Sequence, residues 1–146
     1  MIHCIYASVS ARHWRDDELK ALLVAARAKN RRLGVTGMLL HADGCFFQVL
    51  EGPAAGVDAV YADIEADPRH EQVTLIVRES IPHRAFDRWT MGLASASAEE
   101  IAALPGLNDF LHRPGGLAAL DAGRAMKLLD AFRRGRWRLR LHEPAT

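Results

Sequence analysis

The chain has 146 residues, 49% hydrophobic and 25% charged, with a formal net charge of +1: the proportions of one soluble globular domain able to bury about two thirds of its unfolded surface. The near-neutral balance argues against bulk electrostatic capture of nucleic acid or an anionic membrane, no apolar run reaches the ~18–20 residues of a membrane span, and no secretory pattern opens the chain. Cys4 and Cys45 lack C-x-x-C spacing and read as buried thiols of a reducing compartment, so a cytoplasmic location is expected.

Met1–Ser8 reads as a strand, with Ile2, Cys4 and Tyr6 on one face and His3, Ile5 and Ala7 on the other. A polar loop with Ser10, Arg12, His13 and Arg15 follows. Asp16, Asp17 and Glu18 then give a helix an acidic first turn. Leu19, Leu22, Leu23 and Ala26 recur at helical spacing, Asn30 extends the same stripe, and Gly34 suits the helix exit. An amide therefore sits on the apolar face of this helix.

Thr36–His41 and Cys45–Glu51 are strand-like runs separated by Ala42-Asp43-Gly44, a strong hairpin signal. The second run sets another amide in an apolar setting. Phe46, Gln48 and Leu50 share one face, and Phe47, Val49 and Glu51 take the other. Burying the Gln48 amide without partners costs roughly 2–7 kcal/mol, so its donors and acceptors need answering.

Gly52-Pro53 opens a second helix with Val57, Val60, Tyr61 and Ile64 on its buried face, and Asp67-Pro68 closes it. Gln72–Glu79 is a β-branched strand. After the loop Pro82–Asp87, Arg88–Ala94 reads as a fifth strand with Trp89, Met91 and Leu93 on one face.

The order β-α-β-β-α-β plus one strand is the ferredoxin-like α+β pattern, with right-handed crossovers that put both helices on one sheet face. Strands one and three are expected side by side and parallel at the centre, which brings Tyr6 and Gln48 together on the face holding Asn30. A phenol and two amides then head an apolar slot between the helices. The opposite face carries Ile5, Leu39, Phe47, Val49 and Ile76, too much apolar area to leave in water. A C-terminal helical cap is expected to cover it or to build a subunit interface. Its parts are a linker at Ser95–Ser97, a short helix Ala98–Leu104, breaks at Pro105 and Pro114-Gly115-Gly116, and a longer helix Leu117–Arg134 with Ala125, Leu128, Leu129 and Phe132 inward.

The histidines are scattered without a metal-ligand cluster. Ser8 and Ser10 have no base beside them in sequence, and Asp16-Asp17-Glu18 is a helix start. Arg133-Arg134-Gly135-Arg136-Trp137-Arg138-Leu139-Arg140 reads either as a solvated helix end with an extended strip or as a docking surface for an acidic protein or nucleic acid, protein being favoured over nucleic acid.

Ile5-Tyr6-Ala7-Ser8, Asn30 with Gly34-Val35-Thr36-Gly37, Phe46-Phe47-Gln48-Val49-Leu50-Glu51-Gly52, Asp67-Pro68-Arg69-His70 and Trp89-Thr90-Met91 together resemble the BLUF domains, blue-light sensors that hold flavin adenine dinucleotide (FAD) non-covalently. The match covers about residues 1–95, leaving residues 96–146 as a helical extension with a basic tail. The resemblance implies FAD as cofactor, with FMN or riboflavin as substitutes, and a cofactor-binding set of Tyr6, Asn30, Gln48, Arg69, His70, Lys29 and Asp67. It implies a photochemical relay of Tyr6, Gln48, Trp89 and Met91. Blue light drives an electron and a proton from Tyr6 to the flavin, recombination leaves the Gln48 amide rotated or tautomerised, and the absorption shifts to the red. Trp89 and Met91 match the positions that pass the signal on, and which of them faces the flavin stays open.

Two residues depart from the family pattern. Lys29 stands where many members have asparagine or histidine, and Asp63 where some have arginine. No catalytic motif follows the fifth strand, so a sensor without enzyme activity is expected, passing its output to a separate effector protein or through a homo-oligomer, with no membrane and no nucleic acid. A flavin-dependent oxidoreductase and a flavin-free ferredoxin-like interaction module are the alternatives; neither a dinucleotide fingerprint nor a hydride-donor site is evident in support of the first.

Overall fold

The computed structural model describes residues 1–10, 14–42, 44–87, 91–104, 107, 117 and 120–134. Among these residues the elements follow one another as β1 (Ile2–Ser10), α1 (Asp16–Leu33), β2 (Thr36–Ala42), β3 (Cys45–Gly52), α2 (Ala54–Ala66), β4 (His70–Ser80), β5 (Gly92–Ser95), α3 (Ala98–Ala102) and α4 (Ala122–Arg133). The sheet order is β4-β1-β3-β2-β5, the ferredoxin-like arrangement with an added edge strand, and the α+β class expected from the sequence.

One expectation about the sheet fails. β1 and β3 are neighbours, but they run antiparallel, with Tyr6 opposite Gln48. The crossover through α1 returns β2 parallel to β1, and the tight β2–β3 hairpin then reverses the chain. Leu39 is also on the other face from the one expected. It pairs with Gln48 and belongs to the cluster of Tyr6, Phe46 and Leu50, because directly opposed residues share a face. Met38 and Leu40 take the far face.

Helix α1 stands on the stripe read from the sequence: Leu19 and Leu23 are buried and Asn30 is 2% exposed. Its first turn is closed by the Glu18 carboxylate, which accepts the Arg15 N–H at 3.1 Å. Its end is set by Gly34 at φ 73°, where the Gly34 N–H reaches Arg31 and the Val35 N–H reaches the Asn30 carbonyl at 2.8 Å, a left-handed cap that glycine takes without cost.

Helix α2 approaches that end closely. A Cβ on Gly56 would sit 2.4 Å from the Leu33 carbonyl oxygen, so the missing side chain lets the two helices touch there. Further along, the residues that face each other line a cavity instead.

The far face is covered by the C-terminal part of the chain. Ile101, Leu104, Leu107, Leu117, Leu120, Ala125 and Leu128 form one cluster with Ile5, Met38, Leu40, Phe47 and Val49. Helix α4 is shorter than the Leu117–Arg134 span expected, because the Asp121 carboxylate caps it by accepting the Arg124 N–H at 2.9 Å. Helix α3 likewise stops at Ala102, its start fixed by Ser97 and Glu100 bonding each other's backbone N–H. The β5 ladder begins at Gly92, later than the Arg88 start expected. Arg88–Thr90, Asp43, the Phe132 side chain and the tail beyond Arg134 lie outside the described residues.

Candidate functional site

A cavity of about 480 Å³ lies between α1 and α2 on the helical face of the sheet, within the range of small-molecule sites. Tyr6, Asn30, Gln48 and Met91 all line it, and each is at least nine-tenths buried. Apolar side chains of the two helices, Leu22 and Ala26 from α1 with Val60 and Ile64 from α2, supply its walls.

The polar head is a connected line. The Tyr6 hydroxyl donates to Gln48 Oε1, and Gln48 Nε2 donates to Met91 Sδ at 3.2 Å. Adjacent pairing of β1 and β3 makes the first contact; the chain entering β5 makes the second. Tyr6 also packs edge-on against Tyr61 of α2, with ring centroids 5.6 Å apart. Burial pushes the Tyr6 phenol well above its ordinary pKa, helped by neighbouring Cys4, Tyr61 and Asp67, so it stays a proton donor to the amide. Of the two aligned candidates Trp89 and Met91, the structure puts Met91 inward against Gln48; Trp89 lies outside the described residues.

Arg69, His70 and Asp67 gather at another part of the wall. Arg69 binds Asp67 through two donors, Nε at 3.0 Å and an Nη at 2.5 Å, and that hydrogen bonding lowers the Asp67 carboxyl to about 2. His70 opens β4, and its Nδ1 lies 2.8 Å from Ser8 Oγ. Burial lowers its pKa, opposed by Asp67 and assisted by Arg69. Lys29 and Asp63 face each other from α1 and α2 as an ion pair on the cavity lining. The two departures from the family pattern thus meet each other.

Three residues in and around this region make contacts that the sequence does not foretell. Trp14 lines the cavity, lies 6.0 Å edge-on to Phe46, and has the Arg69 guanidinium 5.9 Å over its ring. A hydrophobic staple was the available signal: Trp14 precedes the Arg15 cap, and Leu19 stands at the matching helical position in the same cluster. Arg27 of α1 donates from Nε to the Met91 carbonyl at 3.0 Å. Glu51, fully buried, accepts from the backbone N–H groups of Ala85 and Phe86 at 2.9 and 2.5 Å and from the Thr36 hydroxyl at 3.2 Å.

The donor set fits a flat, uncharged heteroaromatic ring. Two buried carboxamides, Gln48 and Asn30, offer paired donors and acceptors of the kind an imide edge requires, and the aliphatic walls suit its faces. Among the described residues no group of three histidine, cysteine or acidic side chains could hold a metal ion, and no helix is long and apolar enough to cross a membrane.

A family model described as BLUF, sensors of blue light using FAD, matches residues 1–92. The photoactivated adenylate cyclase subunit beta of Euglena gracilis is 37% identical over 109 residues, which are 74% of this chain and 12% of that protein; the chain therefore spans only a small part of the curated relatives it matches. Among solved structures, the BlsA ground state superposes with a TM-score of 0.78 at 25% identity over 96% of this chain and 91% of the other. BlrB, a BLUF protein in its dark state, gives 0.65 at 29% identity over 87% and 95%.

Proposed function

The chain belongs to the BLUF family, sensors of blue light using FAD, and from that membership we propose that it is a photoreceptor whose signal arises in the Tyr6–Gln48–Met91 line and leaves through β5. The observation that carries this reading is that one amide is held at its two ends by unlike partners: Oε1 by the Tyr6 hydroxyl and Nε2 by the Met91 sulfur.

A bound FAD supplies the blue absorption and an acceptor for one electron. Gln48 and Asn30 would hold the polar edge of its ring, with Arg69, Asp67, His70 and Trp14 along the wall and Lys29 on the lining with Asp63. Tyr6 gives up an electron together with its hydroxyl proton, which leaves along its bond to Gln48 Oε1, and then recovers both. The amide is left reversed or tautomerised.

The consequence for Met91 follows from its chemistry. A thioether accepts a hydrogen bond but cannot donate one. When the Gln48 oxygen replaces its nitrogen on that side, the contact with Met91 Sδ is lost, while the new Nε2 position faces the phenol oxygen. Amide ends are nearly isosteric, so the switch changes bonding without changing volume. Met91 enters a four-residue strand that, among the described residues, lies at the sheet edge and pairs with β2, an element whose few ladder bonds make it responsive to such a change.

Downstream, we assign residues 96–146 to a helical extension that carries the output to a separate effector protein or to another copy of the chain. Its supports are the shared core of α3, α4 and the sheet and the position of α3 directly after β5. No reaction on a substrate is assigned to the cavity.

The test is an absorption spectrum of the flavin-loaded chain in the dark and under blue light. A reversible red shift without bleaching is expected. Bleaching, or consumption of reduced nicotinamide in the dark, would move the reading to an oxidoreductase.

A further inference from the structure

We propose that Arg27 is a positioning residue that holds Met91 against the Gln48 amide. The inference rests on Met91 as the relay's third member and adds what keeps it there.

Arg27 is a half-buried residue of α1 whose Nε donates to the Met91 carbonyl at 3.0 Å. The Met91 side chain is fully buried and takes the Gln48 amide hydrogen on its sulfur at 3.2 Å. The β5 ladder starts one residue later, with Gly92 opposite Met38, and among the described residues β5 is the outer strand of the sheet. Met91 precedes the first paired residue of β5, and the Arg27 bond ties its peptide to the helix.

The residue type suits the task. Guanidinium keeps its charge at any working pH, its donors sit in a planar fork, and a charged donor makes a stronger bond to a carbonyl than a neutral one. Arg27 also lies on the helix that carries Asn30 and the apolar wall, so one rigid element sets both the cavity and the register of Met91 above Gln48. Amide reversal removes the sulfur contact and leaves the Arg27 bond as the restraint on the peptide. Without it the inward thioether has only packing to keep it in place, and return of Gln48 to its dark orientation loses the partner that rewards it.

The experiment follows the Met91 methyl group by carbon-13 NMR in the full chain as purified, in the dark, with Met91→Leu assigning the signal. Arg27→Gln is expected to shift and broaden that signal, and Arg27→Lys, which keeps a charged donor, to restore it. In flavin-loaded protein, Arg27→Gln is expected to slow dark recovery about tenfold, because Gln48 then turns back without the sulfur already held in place to accept its N–H.

An unchanged Met91 signal in Arg27→Gln overturns the proposal, and so does an equal shift in Arg27→Lys, which would mark a packing effect. Should Arg27→Gln fail to fold, the wild-type Arg27 Nε–H decides: slow exchange with solvent supports the bond, and exchange as fast as that of exposed arginines overturns it. The dark spectra need no light response, so they fail separately from the photoreceptor reading.

Discussion

Glu51 gives the sharpest test of how the chain reaching β5 is held. The side chain is fully buried, yet its carboxylate gathers the N–H groups of Ala85 and Phe86 and the Thr36 hydroxyl. Arg84 closes the same knot through the Thr36 hydroxyl at 2.8 Å and the Glu51 and Gly34 carbonyls at 3.1 and 2.7 Å. This pins the loop between β4 and β5 to the ends of β2 and β3.

Replacing Glu51 with Ala strands two backbone donors, each worth roughly 1–3 kcal/mol. The expected loss is about 2–5 kcal/mol, roughly 5–15 °C in Tm for a chain this size. Glu51→Gln keeps an acceptor and the volume, and removes the buried charge. Burial raises the Glu51 pKa against the pull of Ala85, Phe86, Thr36 and Arg84. A raised folded-state pKa means that ionisation works against the fold. The wild-type contribution is thus complete below the ordinary value of about 4.3 and declines as pH rises through the folded-state value. Glutamine still leaves one of the two N–H groups without an acceptor, so Glu51→Gln is expected to lose about 1–3 kcal/mol at neutral pH, less than Glu51→Ala, and to gain on wild type from pH 4 to 7. Urea unfolding of wild type, Glu51→Gln and Glu51→Ala across that range is the assay. A glutamine variant as damaged as the alanine one, or a wild type that gains on glutamine with rising pH, would refute the reasoning.

Cys4 is 2% exposed and its thiol is pushed up to about 12, chiefly by burial; a thiol reagent at pH 8 should modify partly exposed Cys45 first and reach Cys4 only on unfolding, and equal rates would contradict this packing. His70 has its pKa lowered chiefly by burial, so the fold prefers the neutral ring. Its contribution should be intact above the ordinary value of about 6.5 and lost as pH falls through the lower folded-state value. Wild type should then lose ground to His70→Gln between pH 7 and 5; a gain in acid would contradict it. Asp63→Asn releases Lys29 from its partner across the cavity lining. The affinity for FAD relative to riboflavin should rise a few-fold, within the roughly 0.2–1 kcal/mol of an exposed charge pair, and fade with salt. Equilibrium dialysis with both flavins checks it, and a constant ratio counts against the pairing.

Much of this architecture could be read from residue order. Period-two alternation placed Tyr6 and Gln48, the helical stripe placed Asn30, and Gly34 marked its cap, because each signal is local. Strand direction is less legible: the element order makes β1 and β3 neighbours, but their antiparallel sense comes from the reversal at the β2–β3 hairpin. The face of Leu39 is hidden for a related reason: the phase of β2 is fixed by its register with Gln48, a cross-strand fact. Arg27 and Glu51 escaped because their partners are backbone groups of distant residues, Met91, Ala85 and Phe86, and a backbone carbonyl or N–H leaves no mark in a sequence. Met91 and Trp89 are indistinguishable by spacing; the structure shows Met91 bonded by Gln48, and Trp89 lies outside the described residues.

The claim at the centre is that the Gln48 amide is the switch. Its most direct test is the light-minus-dark absorption spectrum of flavin-loaded Gln48→Leu beside wild type. Leucine fills the site without a donor or acceptor, so the variant should bind flavin and show no reversible red shift while wild type does. A Gln48→Leu protein that keeps the shift would contradict the account.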